Sequence, residues 1–160
     1  MGHLHRSDGE AGTGPLTHPV IRPAEAADAG AIARLLGVLG YPDVADAVAL
    51  RLATVAAAGG VTVVALDAPG DLVGVASVAR CVWLHRARPV ALLTTLVVQP
   101  ASRGHGVGRA LVAHVEELAR AWGCEAIELT SNDMRVDAHR FYERLGFASR
   151  SRKFAKRLAS

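Results

Sequence analysis

Near the middle of the chain, Arg103-Gly104-His105-Gly106-Val107-Gly108 has the spacing best suited to chemistry, with three glycines in five positions. Glycine frees successive backbone N–H groups from side-chain bulk, so they can converge on an anion. A helix starting behind them adds roughly half a positive charge at its first turn. The chemistry implied is phosphate binding. A plain turn is the competing reading, because glycine pairs between a strand and a helix often do no more than reverse the chain. Two well-known phosphate loops do not fit. G-x-G-x-x-G begun at Gly104 needs glycine where Arg109 stands, and G-x-x-x-x-G-K-[ST] fails at the same residue.

The flanking elements must hold this loop. Residues 92–98, LLTTLVV, read as a buried strand stopped by Pro100-Ala101-Ser102. Beyond the loop, Val107, Leu111, Val115, Leu118 and Trp122 fall on one helical face, which pins the loop between two buried elements. Upstream, residues 20–23 read as a short strand. Asp28 reads as the cap of a helix carrying Ile32, Leu35, Leu36 and Leu39 that ends at Gly40 and Pro42. Asp43 starts an alanine-rich helix to about Ala58, stopped by Gly59-Gly60. Strands over 61–67 and 72–84 are joined by Ala68-Pro69-Gly70-Asp71, the residues of an antiparallel hairpin, and a basic connection, 85–89, follows. Downstream, 125–131 alternates as a strand, 137–145 reads as a short helix ended by Gly146, and 147 to about 158 as a last strand. The order β-α-α-β-β-β-α-β-α-β predicts an α/β (α+β) fold, a mixed sheet with helices on both faces.

A chain of 160 residues, 51% hydrophobic and 21% charged, suits one globular domain with a real core. Residues 1–18 are glycine-rich, polar and aperiodic and are expected to be a disordered leader, which leaves 19–160 as the domain. No metal is expected: His3, His5 and His18 lack ligand neighbours, and Cys81 and Cys124 lack metal-type spacing and read as reduced core thiols. No apolar run reaches the roughly 18 residues of a membrane helix and no signal-peptide core is present, so the cytoplasm is the default. The net charge of +3 and the cluster of Arg150, Arg152, Lys153, Lys156 and Arg157 raise nucleic acid as a partner. Phe154 alone accompanies them, no recognised binding module is formed, and basic residues also guard a sheet edge, so that partner is not expected.

Arg103, Gly106 and Gly108 spell Arg-x-x-Gly-x-Gly, which resembles the acetyl-CoA pyrophosphate loop of the GNAT superfamily of N-acetyltransferases. Leu96, Val98 and Pro100 resemble that family's fourth strand and its stop, and the elements from about 20 to 158 follow the family's order. The resemblance implies a mostly antiparallel central sheet, acetyl-CoA as co-substrate, and direct acetyl transfer to a primary amine of an unidentified acceptor, small molecule or protein. It implies a cofactor site on Leu96, Val97, Val98, Arg103, Gly104, His105, Gly106, Val107, Gly108 and Arg109. A C2 homodimer is also expected on this ground.

A second motif is Asp-Ala-His-Arg-Phe-Tyr-Glu-Arg-Leu-Gly-Phe, residues 137–147. Ala138, Phe141, Tyr142 and Leu145 share a helical face, so on periodicity Tyr142 is a core aromatic. The motif resembles the Phe-Tyr-x-x-x-Gly-Phe run of GNAT enzymes, whose tyrosine donates a proton to the departing CoA thiolate, and Tyr142 takes that position. A phenol of pKa about 10 stays protonated at neutral pH and can serve a thiolate of pKa about 8.5. Many members carry asparagine seven positions earlier, contacting the cofactor arm. Here that position is Arg135, with Asn132 three residues before it, and either can take the contact; a solvated surface arginine is the other reading of Arg135. His139 reads as a helix-surface histidine. Spacing marks none of His85, Glu128 and Asp133 as the general base. The alternative function is a non-catalytic acyl-CoA-binding or sensing module of the same fold, against which Tyr142 in its expected place argues.

Overall fold

The computed structural model describes residues 18–132, 134–150 and 153–158. Five strands form one sheet in the order β1 (Val20–Pro23), β2 (Val61–Leu66), β3 (Leu72–Cys81), β4 (Val90–Val98) and β5 (Ala126–Leu129). Neighbours from β1 to β4 are antiparallel, while β4 and β5 are parallel. A parallel neighbour cannot be reached by a tight turn, and the crossover is supplied by helix α3 (Val107–Ala121). The mixed, mostly antiparallel sheet expected from the sequence is therefore present.

Helices cover both faces. Helices α1 (Ala29–Leu39) and α2 (Ala45–Ala57) bury Ile32, Leu35 and Val48 against Val64, Val75 and Val97. On the opposite face α3 buries Val107, Leu111, Val115 and Ala119 against Val63, Ala65, Val73 and Val78, with Tyr142 of helix α4 (Val136–Arg144) packed beside them. Successive residues of β2 serve opposite cores, as the period of two in a strand requires. Gly74 in β3 lets α3 come close: a Cβ there would lie 2.9 Å from Leu111 Cδ1 and 3.0 Å from Val107 Cγ1.

Several sequence expectations are corrected. The strand expected over 72–84 ends at Cys81, and Val82 and Leu84 are exposed, because β4 begins opposite Cys81 and offers them no partner. The last strand is not formed by the described residues between 147 and 158. Phe154 and Leu158 are both exposed, and two large apolar side chains set among Lys153, Lys156 and Arg157 make no face to bury. Asp28 does not cap α1 with its side chain. Its carboxylate instead accepts two bonds from the Arg22 guanidinium, at 2.7 and 2.8 Å, and one from the Glu25 N–H at 2.7 Å, which ties β1 to the first turn. Asp43 accepts the Val44 N–H at 2.8 Å and pairs with Arg51, so α2 starts at Ala45. The expected leader lies outside the described residues except for His18, which is exposed.

Candidate active site

The site begins with an irregularity in β4. Ser77 pairs with Thr95 and Val78 with Leu93, so Thr94 is an extra residue in the ladder, and its hydroxyl donates to the Ser77 carbonyl at 3.1 Å. A bulge of this kind bends its strand and sharpens the local twist. On the other side β5 pairs only with Val90, Ala91, Leu92 and Leu93. From Thr94 onward β4 thus parts from β5 and leaves an opening beside it.

The ladder also fixes which backbone groups face that opening. The Gln99 N–H donates to the Val73 carbonyl at 2.8 Å. Hydrogen-bonded and open pairs alternate along an antiparallel ladder. Val97, opposite Val75, is therefore bonded to β3, whereas Leu96 and Val98 turn their N–H and C=O groups toward the gap. In keeping with this, the Val98 carbonyl accepts a bond from Arg103 Nε at 3.2 Å. The Val97 side chain is buried in the α1/α2 core, so this residue borders the opening through its main chain.

After β4 the chain makes one 3₁₀ turn, Pro100–Ser102, and enters the glycine loop. Gly104 and Gly106 have φ of +77° and +83°, a left-handed conformation that costs other residues dearly, and a Cβ on either would meet no atom within 4 Å. Gly106 stands at the N-cap of α3. The first N–H groups of a helix have no partner within it, so here they are presented beside an open loop.

A cavity of about 660 Å³ joins these parts. Its walls include Leu96, Val97 and Val98 of β4, Arg103, Gly104, Gly106, Val107, Gly108 and Arg109 of the loop and helix start, Val38 and Leu39 of α1, and Arg135, Phe141 and Tyr142 of α4 and its approach. Two expected cofactor residues stand apart from this lining. The His105 ring turns back to the Arg103 carbonyl, with Nδ1 2.9 Å away. The Asn132 side chain accepts the Met134 N–H at 2.9 Å, and its carbonyl accepts the Arg135 N–H at 2.9 Å, so it shapes the turn that delivers Arg135. Arg135 donates across the cleft to the Leu39 carbonyl.

Tyr142 is both a packing residue and part of the cleft wall. It packs against the α3 core and makes edge contacts with Phe141 and Phe147, at centroid distances of 5.3 and 5.6 Å, while also lining the cleft. Burial raises its phenol above the ordinary tyrosine range, an effect partly offset by the Arg135 cation. The hydroxyl is therefore a proton holder at neutral pH.

Of the residues considered as a general base, Glu128 is paired with Arg86 at 2.6 Å, and Arg86 also reaches Glu125 at 3.3 Å. His85 is exposed beside Trp83, and Asp133 lies outside the described residues. Among the described residues no cluster of His, Cys, Asp or Glu is arranged to hold a metal. None of their helices is long and apolar enough to cross a membrane. Sequence reasoning missed Thr94 and its bulge, for which the only available signal was a Thr-Thr pair interrupting an apolar run.

The acetyltransferase (GNAT) family model matches residues 39–147. An aminoalkylphosphonate N-acetyltransferase of Salmonella typhimurium is 42% identical over 89 residues, which are 56% of this chain and 58% of that protein. An aminoglycoside N(6')-acetyltransferase type 1 of Stenotrophomonas maltophilia is 37% identical over 138 residues, 84% of this chain and 89% of that one. The crystal structure of an acetyltransferase of Trypanosoma brucei matches with a TM-score of 0.74 at 32% identity, covering 88% of this chain and 99% of that chain. A family match over residues 39–147, with the Stenotrophomonas relative aligned along 89% of its length and the Trypanosoma structure along 99%, establishes that this chain belongs to the GNAT acetyltransferase family, as an N-acetyltransferase.

Proposed function

We propose that the protein moves an acetyl group from acetyl-CoA directly to a primary amine of a small molecule. The observation that carries this reading is a cleft in which the glycine loop, the open edge of β4 and the Tyr142 side chain meet. The fit to acetyl-CoA rests on the chain's own groups. Space lies over Gly104 and Gly106 where side chains would stand, and the N–H groups from Gly104 to Arg109 with the α3 N-terminus suit a diphosphate. Leu96 and Val98 offer backbone amides to an amide-bearing arm and, farther along, to the oxygen that gains charge as the amine attacks the thioester carbonyl. Arg103, Arg109 and Arg135 supply positive charge around the cleft.

Tyr142 donates its proton as the carbon–sulfur bond breaks and the thiolate leaves. The attacking amine must first lose a proton, because an alkylammonium has a pKa near 10.4 in water. With Glu128 paired to Arg86, that proton passes to solvent or to a group outside these residues. Relatives named for aminoalkylphosphonates and aminoglycosides support a small amine as acceptor. Thiol release from acetyl-CoA, followed with aminoethylphosphonate, an aminoglycoside and simple diamines, is expected to exceed the amine-free rate for at least one of them. Tight acetyl-CoA binding with no amine-dependent release would instead favour the sensing module.

A further inference from the structure

We propose that Gly108 is a positioning residue, setting the Tyr142 side chain through the ring of Phe141. The three glycines of the loop are glycine for different reasons. Gly104 and Gly106 need a left-handed backbone and have free space around them. Gly108 has neither property. It lies in the first turn of α3 without positive φ, and a Cβ there would sit 3.1 Å from Phe141 Cζ, 3.3 Å from Cε2 and 3.6 Å from Val98 Cγ2. Alanine would suit this helical position better than glycine on intrinsic grounds. What glycine adds is therefore room for the edge of an aromatic ring.

That ring is in contact with two others in turn. Phe141 meets Tyr142 edge-on with an interplanar angle of 64°, and Tyr142 meets Phe147 at 68°, so the three rings form one row. Tyr142 in turn packs on the core of α3 and the sheet. A methyl group at position 108 presses Phe141 by a few tenths of an ångström, and the row passes that displacement to the phenol. The glycine thus couples the start of α3 to the residue that faces the thiolate.

The inference rests on the reading of Tyr142 as the acid, so Tyr142→Phe is measured alongside. Gly108→Ala is expected to lower kcat by about tenfold, in line with the sensitivity of positioned groups to small displacements. Acetyl-CoA affinity by calorimetry should stay within about twofold, because alanine keeps the Gly108 N–H offered to the diphosphate and its Cβ is aimed at Phe141 and Val98, and Tm should not fall, since alanine suits a helix better than glycine. In a Phe141→Leu background, where the clashing ring atoms are gone, adding Gly108→Ala should cost nothing further, which is the signature of coupling between neighbours. The chain has two tyrosines, and with the exposed Tyr41 replaced by phenylalanine in every variant the Tyr142 phenol can be followed alone, a second readout that needs no acceptor. Ultraviolet titration should show the Tyr142 phenol moving back toward its ordinary value in Gly108→Ala only when Phe141 is present. Loss of acetyl-CoA affinity, an equal fall in kcat in both backgrounds, or unchanged turnover with an unchanged titration would overturn the proposal. Full activity in Tyr142→Phe would sink the acid reading, and the titration alone would then judge whether Gly108 positions the ring.

Discussion

Tyr142 is the residue at which packing and chemistry compete. Tyr142→Phe keeps the edge contacts with Phe141 and Phe147 and removes only the proton. Turnover should fall by about 10²-fold, the lower end of what positioned proton transfer contributes. Tm and acetyl-CoA affinity should barely change, and a variant with full turnover would leave the residue with packing alone. The pH dependence follows from the sign of the shift. Burial raises the folded phenol, so an acid at this position stays competent past the ordinary value of about 10, and the alkaline fall of kcat belongs above it. Stability runs with the same sign. The contribution of the bound proton is fully present below the unfolded value and is lost as pH rises toward the folded one, which denaturant titrations between neutral and strongly alkaline pH can follow.

At the scale of elements, the loop between β4 and α3 is the proposed cofactor end. Gly106→Val forces a branched side chain into φ near +83° and into the space over the loop. The backbone penalty is about 1–2 kcal/mol, and acetyl-CoA affinity should drop well beyond tenfold as the approach to the N–H groups closes. Calorimetry showing undiminished affinity would remove the loop from the cofactor site. This element was legible in the sequence because glycine spacing and a period of 3.6 are local properties, and the same holds for α1 and the core face of α3. The bulge at Thr94 was not legible, since it belongs to the pairing of β3 with β4 and not to either strand alone. Asp28 has a side chain fit for capping, but its match with Arg22, six residues away, is a property of the folded corner. The run after Gly146 takes the place of a strand in the element order, but its large apolar residues, Phe147, Phe154 and Leu158, do not recur at every second position and make no face to bury. Gly108 has the spacing of one more phosphate glycine, and only the folded contact with Phe141 of α4 sets it apart.

For the whole molecule, the exposure of the last described residues has a direct consequence. Residues 153–158 are exposed, so a chain cut after Arg152 should keep its Tm within about 2 °C, the range of surface changes in a domain of this size. A larger drop in calorimetric melting would mean that the basic segment is held after all. The C2 homodimer remains a proposal carried by the family resemblance, and the described residues from 147 to 158 form no strand to mediate it. The outer edges of β1 and β5 have no strand partner among the described residues. Light scattering at micromolar concentration should give twice the monomer mass, and a monomer would retire the idea. The parting of β4 from β5 has its own readout in proton exchange with solvent. The Leu96 and Val98 amides face the gap and should exchange rapidly in the free protein, while Val97 between them, bonded to β3, is protected. Saturating CoA should slow the two fast amides and leave the third as it was, so three consecutive backbone protons would report whether the cleft is filled.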